Sequence, residues 1–126
     1  MRISEAAARS GLSADTIRYY ERSAVLPPLP RGADGHRDVP ARMVELMTLL
    51  HLLRETGMPM ADLRRFTGLF RQGDATVAAR RALLEAHGAR LKARRAALDR
   101  CEVLLARKME VYDQIEGRGR AERSGP

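Results

Sequence analysis

The chain has 126 residues, of which 44% are hydrophobic, and its formal net charge at pH 7 is +7. This length predicts one domain with room for an appended element. No apolar run approaches the roughly 20 residues of a membrane-spanning helix, and the first ten residues lack the apolar core of a secretory signal. The single cysteine, Cys101, excludes a disulfide framework within one chain. We therefore expect a cytoplasmic protein with no membrane contact, whose positive charge favours an anionic partner such as nucleic acid.

Two short helices separated by a tight corner are predicted at the start of the chain, at about 4–10 and 13–22. Gly11 is typical of a helix end because glycine readily adopts a positive φ, and Ser13 is a suitable N-cap. Only Gly11 and Leu12 separate the two helices, so they must meet at a sharp angle. This is the outline of a helix-turn-helix.

An extended segment and a turn follow these helices. Three prolines between Leu26 and Pro30 exclude a helix there. Asp34-Gly35 favours a tight hairpin turn, because both residue types tolerate a positive φ. The flanking strands must be very short. A helix-turn-helix followed by a small hairpin is the plan of a winged helix.

Residues 41–72 predict two more helices, one from about Ala41 to Thr56 and the other beginning near Pro59. Gly57 separates them. Their apolar residues recur at helical spacing, which predicts one buried face on each helix. The first face comprises Met43, Leu46, Met47, Leu50 and Leu53, and the second comprises Leu63, Phe66 and Phe70.

The stretch 75–116 predicts one uninterrupted helix, because it contains no proline and only one glycine, Gly88. Such a helix would be about 60 Å long, too long for a small globule to cover. Apolar or aromatic residues recur at every seventh position, the period of a coiled-coil seam. This row is Val77, Leu84, Leu91, Leu98, Leu105 and Tyr112. The companion row is mostly polar and reads Arg80, His87, Arg94, Cys101, Lys108 and Ile115. We expect the helix to pair with a second copy of itself, helped by the rest of the fold.

The segment from Thr16 to Glu21 is the strongest indication of function. On a helix, Ile17 and Tyr20 share one face and pack inward with Leu12. The side chains left for the outer face are Ser13, Thr16, Arg18, Tyr19 and Arg22. Their hydroxyl and guanidinium groups suit phosphate oxygens and base edges. On residue chemistry alone, a solvated helix with one buried tyrosine is equally compatible.

Several of these segments, in the same order, resemble the MerR family of bacterial transcription regulators. They are Ser13 to Glu21 followed by Leu26-Pro27-Pro28, the Gly35-His36-Arg37 turn, and the Leu53-Arg54-x-x-Gly57 corner. The resemblance covers residues 1–72 at motif level, and the long helix matches in architecture. It implies a mainly α fold with a winged helix-turn-helix DNA-binding domain over 1–72. A long dimerising antiparallel coiled-coil helix over 73–116 and a disordered tail over 117–126 are expected to follow.

The resemblance also implies roles for particular residues. Those expected to face DNA are Ser13, Thr16, Arg18, Tyr19 and Arg37. Arg18 is the candidate for a base contact, since a guanidinium pairs bidentately with guanine. Tyr19 is expected to hydrogen-bond a backbone phosphate. Arg37 is expected to contact phosphate from the wing, which is the hairpin around Gly35-His36-Arg37. The sequence departs from the family at that wing, where His36 and Val39 stand in place of the usual aromatic residues.

The function that the resemblance implies is control of transcription through DNA shape. A homodimer would bind a palindromic promoter spacer in double-stranded DNA and distort it, so that RNA polymerase meets its two recognition elements in register. An effector, here of unknown identity, need only shift a two-state equilibrium. The alternative is a protein–protein adaptor that uses the coiled coil. We expect no enzyme, because no nucleophile–base pair, phosphate-cradling glycine loop or paired carboxylates near a histidine are found.

The features of the family's sensing branches are missing from the sequence. Metal-sensing members carry cysteines at the start of the long helix, where residues such as Thr76 and Ala79 stand here, so we expect no metal and no cofactor. The chain is most similar to short regulators resembling aldehyde- or thiol-stress sensors, whose cysteine in the third helix is Leu52 here. Cys101 is either a packed seam residue or a redox thiol. His87 is expected to pack on the seam rather than to bind a ligand.

Overall fold

The computed structural model describes residues 1–123, and this part of the chain consists mainly of helices. In order they are α1 (Ile3–Ser10), α2 (Ala14–Arg22), α3 (Ala41–Glu55), α4 (Met60–Arg71), a 3-10 turn (Asp74–Thr76) and α5 (Val77–Arg123). No strand forms in the described range, and the predicted hairpin holds one isolated antiparallel bridge, between Arg31 and Arg37. None of these helices is long and apolar enough to cross a membrane. The prediction of a mainly α fold with an N-terminal helix-turn-helix and a long C-terminal helix is confirmed.

The corner between α1 and α2 is built by the two residues that the sequence indicated. Gly11 ends α1 in the left-handed region at φ 80°, and its N–H donates to the Ala7 carbonyl at 3.1 Å. Ser13 begins α2 by accepting a hydrogen bond from the Thr16 N–H at 3.0 Å. An N-cap of this kind contributes about 1 kcal/mol. These local contacts fix the angle at which α2 leaves α1.

The first compact unit, Met1–His87, has one apolar core. Ile17, Tyr20 and Leu12 are buried, as their spacing predicted. From α3 the core receives Met43, Met47, Leu50 and Leu53, and from α4 it receives Leu63 and Phe66. The prediction was wrong for Phe70, which is 36% exposed and lies under the Arg80 guanidinium at 5.5 Å. A cation stacked on the ring stabilises this aromatic side chain at the surface.

The segment between α2 and α3 is extended and closes onto the start of the chain. Leu26, Leu29 and Val39 are buried, so the proline-containing segment packs its apolar side chains into the core. The Met1 ammonium donates to the Val39 carbonyl at 2.8 Å, and the Val39 N–H donates to the Met1 carbonyl at 2.7 Å. Gly35, at φ 81°, provides the turn that was predicted. Val39 is thus a core residue, which explains why this position of the wing carries no polar group.

Helix α5 continues to Arg123, so the prediction of a disordered tail from residue 117 was wrong for residues 117–123. The last three residues of that predicted tail lie outside the described residues. Residues 118–123 are Arg, Gly, Arg, Ala, Glu and Arg, most of which favour helix, and cations at a helix C-terminus interact favourably with its dipole. Gly117 and Gly119 each cost about 1 kcal/mol but do not end the helix. The start of α5, through His87, belongs to the first compact unit, which therefore extends past residue 72.

Candidate nucleic-acid interface

The outward face of α2 carries four of the five predicted DNA-facing residues. At its N-terminus the Ser13 hydroxyl accepts from the Thr16 N–H and donates to Thr16 Oγ1 at 2.8 Å. The Ser13 hydroxyl is therefore used as a cap. The hydroxyl hydrogen of Thr16 is left for another acceptor, because a hydroxyl that accepts one bond still has its own proton to donate.

Arg18 and Tyr19 are both accessible. The Arg18 side chain is 41% exposed and donates from Nη1 to Asp15 Oδ1 at 3.1 Å, one turn earlier on α2. An exposed pair of this kind is weak, so Arg18 can exchange Asp15 for a phosphate or a base edge. Tyr19 is 40% exposed, in contrast to the fully buried Tyr20 beside it. The adjacent tyrosines thus divide into one outward and one core residue.

The guanidinium of Arg54, at the end of α3, stacks over both tyrosines. Its Cζ lies 5.3 Å from the ring centroid of Tyr19 and 5.5 Å from that of Tyr20, within the range of a cation–π contact. Interaction with Tyr20, the largest influence, raises the pKa of Arg54. A permanent positive charge therefore lies over the rings of both tyrosines. Arg54 is part of a motif in the sequence, but its contact with the two tyrosines cannot be predicted from that motif.

Arg37, the predicted phosphate contact of the wing, is held by Glu21 of α2. Its Nε donates to Glu21 Oε1 at 2.6 Å, and Glu21 Oε2 accepts from the Leu29 N–H at 2.6 Å. The side chains of Arg37 and Glu21 are 24% and 15% exposed. One carboxylate thus fastens both the wing and the proline-containing segment to α2. Arg37 is positioned by this bond rather than extended into solvent.

A basic cavity of about 250 Å³ lies between the start of α1, α2 and the wing. It brings the predicted residues Arg18 and Arg37 together with Arg2 and Arg31, two arginines that no sequence motif indicated. The complete lining is Arg2, Ile3, Ser4, Arg18, Arg31, His36 and Arg37. The guanidinium groups of these four arginines suit the phosphate oxygens of a nucleic-acid backbone, to which a guanidinium can donate two hydrogen bonds at once.

The wing turn itself is stabilised by Asp34. One carboxylate oxygen accepts from the His36 N–H at 3.1 Å, and the other accepts from Arg2 Nη2 at 2.7 Å. The hydrogen bond from the His36 amide, followed by the charge of Arg2, lowers the pKa of Asp34. The contact to Arg2 links the wing to the segment that precedes α1. Only the Asp34-Gly35 turn was visible in the sequence, since Arg2 is 32 residues away.

The residues weighed as sensors are dispersed. Within residues 1–123, no group of three or more His, Cys, Asp or Glu side chains is placed to hold a metal ion. Leu52 is 52% exposed on α3, and Cys101 is exposed on α5. His87 is 2% exposed, with its Nε2 2.8 Å from Thr56 Oγ1. It is thus a packed residue, but it packs beside the end of α3 in its own chain rather than on a seam between two copies.

Comparison with known sequences gives one family and several relatives. The family described as MerR HTH family regulatory protein matches residues 1–69. The HTH-type transcriptional regulator AdhR of Bacillus subtilis is 37% identical over 84 residues, which are 67% of this chain and 60% of AdhR. An uncharacterised HTH-type transcriptional regulator of Haemophilus influenzae is 32% identical over 115 residues, which are 91% of this chain and 85% of that protein. The chain thus spans less than two thirds of AdhR but most of the Haemophilus regulator.

Two solved structures resemble the chain over nearly its whole length. A protein solved as a MerR family transcriptional regulator from Listeria monocytogenes is 33% identical with a TM-score of 0.86, covering 98% of this chain and 94% of that one. HiNmlR, a MerR family regulator lacking the sensor domain and bound to promoter DNA, is 31% identical with a TM-score of 0.81, covering 94% of each chain.

Proposed function

The chain belongs to the MerR family of DNA-binding transcription regulators, and we propose that it acts as a homodimer on a palindromic promoter spacer in double-stranded DNA. The observation that carries this proposal is the exposed face of α2, which presents Arg18 and Tyr19 beside the basic cavity. The similarity to HiNmlR, which was solved on promoter DNA, supports it. We propose residues 1–72 as the DNA-binding region and residues 73–116 as the dimerising coiled coil.

Each DNA-facing residue then has a role set by its position. Arg18 contacts a base in the major groove, because a guanidinium recognises guanine bidentately. Thr16 donates its hydroxyl hydrogen near the N-terminus of α2, where the helix dipole also favours phosphate. Ser13 faces DNA at the same end, and its own hydroxyl hydrogen is donated to Thr16 Oγ1. Tyr19 donates to a backbone phosphate with Arg54 beside it. Arg37, held by Glu21, meets a phosphate from the wing.

The apolar row on α5 supports the homodimer. Within the second unit three of its side chains are about half exposed in the single chain, Leu98 57%, Leu105 58% and Tyr112 49%, and Ile115 of the companion row is 48% exposed. Apolar residues at a seven-residue period form the seam of a coiled coil, and a second copy offers an identical row. A two-fold dimer also places two α2 helices in successive major grooves of a palindrome.

Transcription would then be controlled by deforming the spacer. Bending and untwisting a spacer costs free energy that depends on its sequence, and the contacts made by two protomers offset that cost. In the distorted form RNA polymerase meets both promoter elements in register. A small-molecule effector would need only to favour one of the two DNA shapes.

The test is selection of operator sequences from a random pool of duplex DNA with the full chain. We expect an inverted repeat whose half-site centres lie about 10 bp or a multiple of it apart, and binding that weakens steeply as salt rises. Energy transfer between dyes at the two ends of the selected duplex should report a bend. A pool without enrichment and an affinity indifferent to salt would instead favour the adaptor, and an unbent complex would remove the distortion mechanism.

A further inference from the structure

Three polar side chains form a hydrogen-bonded network between α2 and α3. None of them is among the proposed DNA contacts. The hydroxyl of Tyr20, on α2, lies 2.8 Å from Nδ1 of His51, on α3. Nε2 of His51 lies 3.0 Å from Oε1 of Glu55, one turn further along α3. Tyr20 is fully buried, whereas the side chains of His51 and Glu55 are 27% and 58% exposed. The network of three side chains thus runs from the core to the surface and joins α2 to α3.

When the imidazole is neutral, the chemistry of the three groups fixes the direction of each hydrogen bond. An ionised carboxylate only accepts, so Nε2 of His51 must carry the proton that it donates to Glu55. In the neutral imidazole Nδ1 is then an acceptor, and the Tyr20 hydroxyl donates to it. Glu55 therefore selects the tautomer of His51 that can pair with Tyr20. Without an acceptor at this position the hydrogen of the buried hydroxyl would be left without a partner, which is costly.

We propose that His51 is a positioning residue for DNA recognition, because its bond to Tyr20 fixes the rotation of α2 against α3. The inference rests on the proposed role of α2 in contacting DNA. The position of the Tyr19 side chain depends on this bond, because Tyr19 is the neighbour of Tyr20 on α2. The two ring centroids lie 6.0 Å apart, and Arg54 stacks over both rings. Neighbouring residues of one helix turn together. A rotation that relaxes Tyr20 therefore moves Tyr19 away from Arg54 and shifts Arg18 on the outer face.

Two substitutions of similar polarity separate positioning from general stability. In His51→Asn the side-chain oxygen is two bonds from Cβ, as Nδ1 is, so it can still accept from Tyr20. In His51→Gln the amide lies one bond further out, near the position of Nε2, and does not reach the hydroxyl in the same way. Intrinsic helix propensity ranks Gln above Asn, so a purely structural role predicts the opposite order of effects.

The affinity of each full-length variant is measured on the selected operator duplex, at a temperature where circular dichroism shows it folded. His51→Gln should bind about three- to tenfold more weakly than wild type, the range expected of one hydrogen bond, and His51→Asn should stay within about twofold. In a Tyr20→Phe background the two variants should be equal, because the donor is gone. Nitrogen-15 NMR of the histidines should show His51 with its proton on Nε2.

Equal affinities of the Asn and Gln variants, or a proton on Nδ1 of neutral His51, would overturn the positioning role. Arg18→Ala distinguishes this failure from failure of the proposed function. If Arg18→Ala weakens binding while the two His51 variants are equal, only the positioning role is lost. If Arg18→Ala also binds like wild type, α2 does not contact DNA as proposed and both fail.

Discussion

The carboxylate of Glu21 offers the clearest test of how the wing is held, and we predict that Glu21→Gln is strongly destabilising. Both of its oxygens accept: Oε1 from Arg37 Nε and Oε2 from the Leu29 N–H, each at 2.6 Å. A glutamine amide has one accepting oxygen and one donating nitrogen. The nitrogen must therefore face one of the two donors, and one of the bonds is lost whichever way the amide is turned.

The size of the effect follows from burial and charge. A hydrogen bond to a charged group contributes about 1.5–3 kcal/mol, more than a neutral one, and its loss here leaves a donor in a site with little access to water. The side chains of Glu21 and Arg37 are 15% and 24% exposed, so solvent weakens this ion pair only in part. We therefore expect Glu21→Gln to lower the free energy of unfolding by about 1.5–3 kcal/mol.

Urea unfolding of the full chain at one fixed protein concentration measures this difference, since dimerisation would make stability depend on concentration. The matched control is Glu5→Gln, which breaks the α1 ion pair with Arg9, whose side chains are 51% and 58% exposed. Such a surface pair contributes about 0–1 kcal/mol. If Glu21→Gln costs no more than Glu5→Gln, the inference that Glu21 fastens the wing is refuted.

Three further predictions concern the coil, the wing and the first corner. Leu105→Asp should dissociate the dimer in sedimentation experiments, because a carboxylate would be buried on the seam. Ala96→Asp, on the opposite face of α5, should leave the dimer intact, and if both variants stay dimeric, this interface is wrong. The hydrogen bond from the His36 amide lowers the pKa of Asp34 from its ordinary value of 3.8. The stabilisation by the Asp34 carboxylate is therefore complete above pH 3.8 and is lost as the pH falls through the folded-state pKa. NMR titration of the turn amides should show this step, and its survival in Asp34→Asn would contradict the assignment. Gly11→Ala should destabilise by about 1–2 kcal/mol because of its positive φ, whereas Gly68→Ala, in open space on α4, should stabilise slightly; thermal unfolding that ranks them otherwise would contradict this reading of the corner.

The parts of the fold that the sequence predicted depend on local signals. Gly11 and Ser13 act within their own helix ends, so residue type alone located the corner. The inward direction of Ile17 and Tyr20 follows from helical spacing, and so does the outward direction of Arg18. Each of these features needs information from only a few neighbouring residues, which a single sequence contains.

The features that the sequence did not reveal join residues far apart in the chain. Glu21 binds a wing residue 16 positions later, and Tyr20 pairs with His51 31 positions later. The spacing of residues in the sequence does not predict such contacts, because they depend on how the helices pack. Residues 117–123 differ from the prediction for another reason: two glycines and several charges predict disorder, but an established helix continues through Gly117 and Gly119 at modest cost.

The most direct test of the account is the sequence selectivity of Arg18→Ala, measured on the selected operator and on a scrambled duplex of the same length and composition. If Arg18 reads a base, the variant should lose about 1–3 kcal/mol of binding free energy on the operator, much less on the scrambled duplex, and tolerate any base at one position of each half-site. Equal losses on both duplexes would contradict base reading and leave Arg18 as a phosphate contact alone.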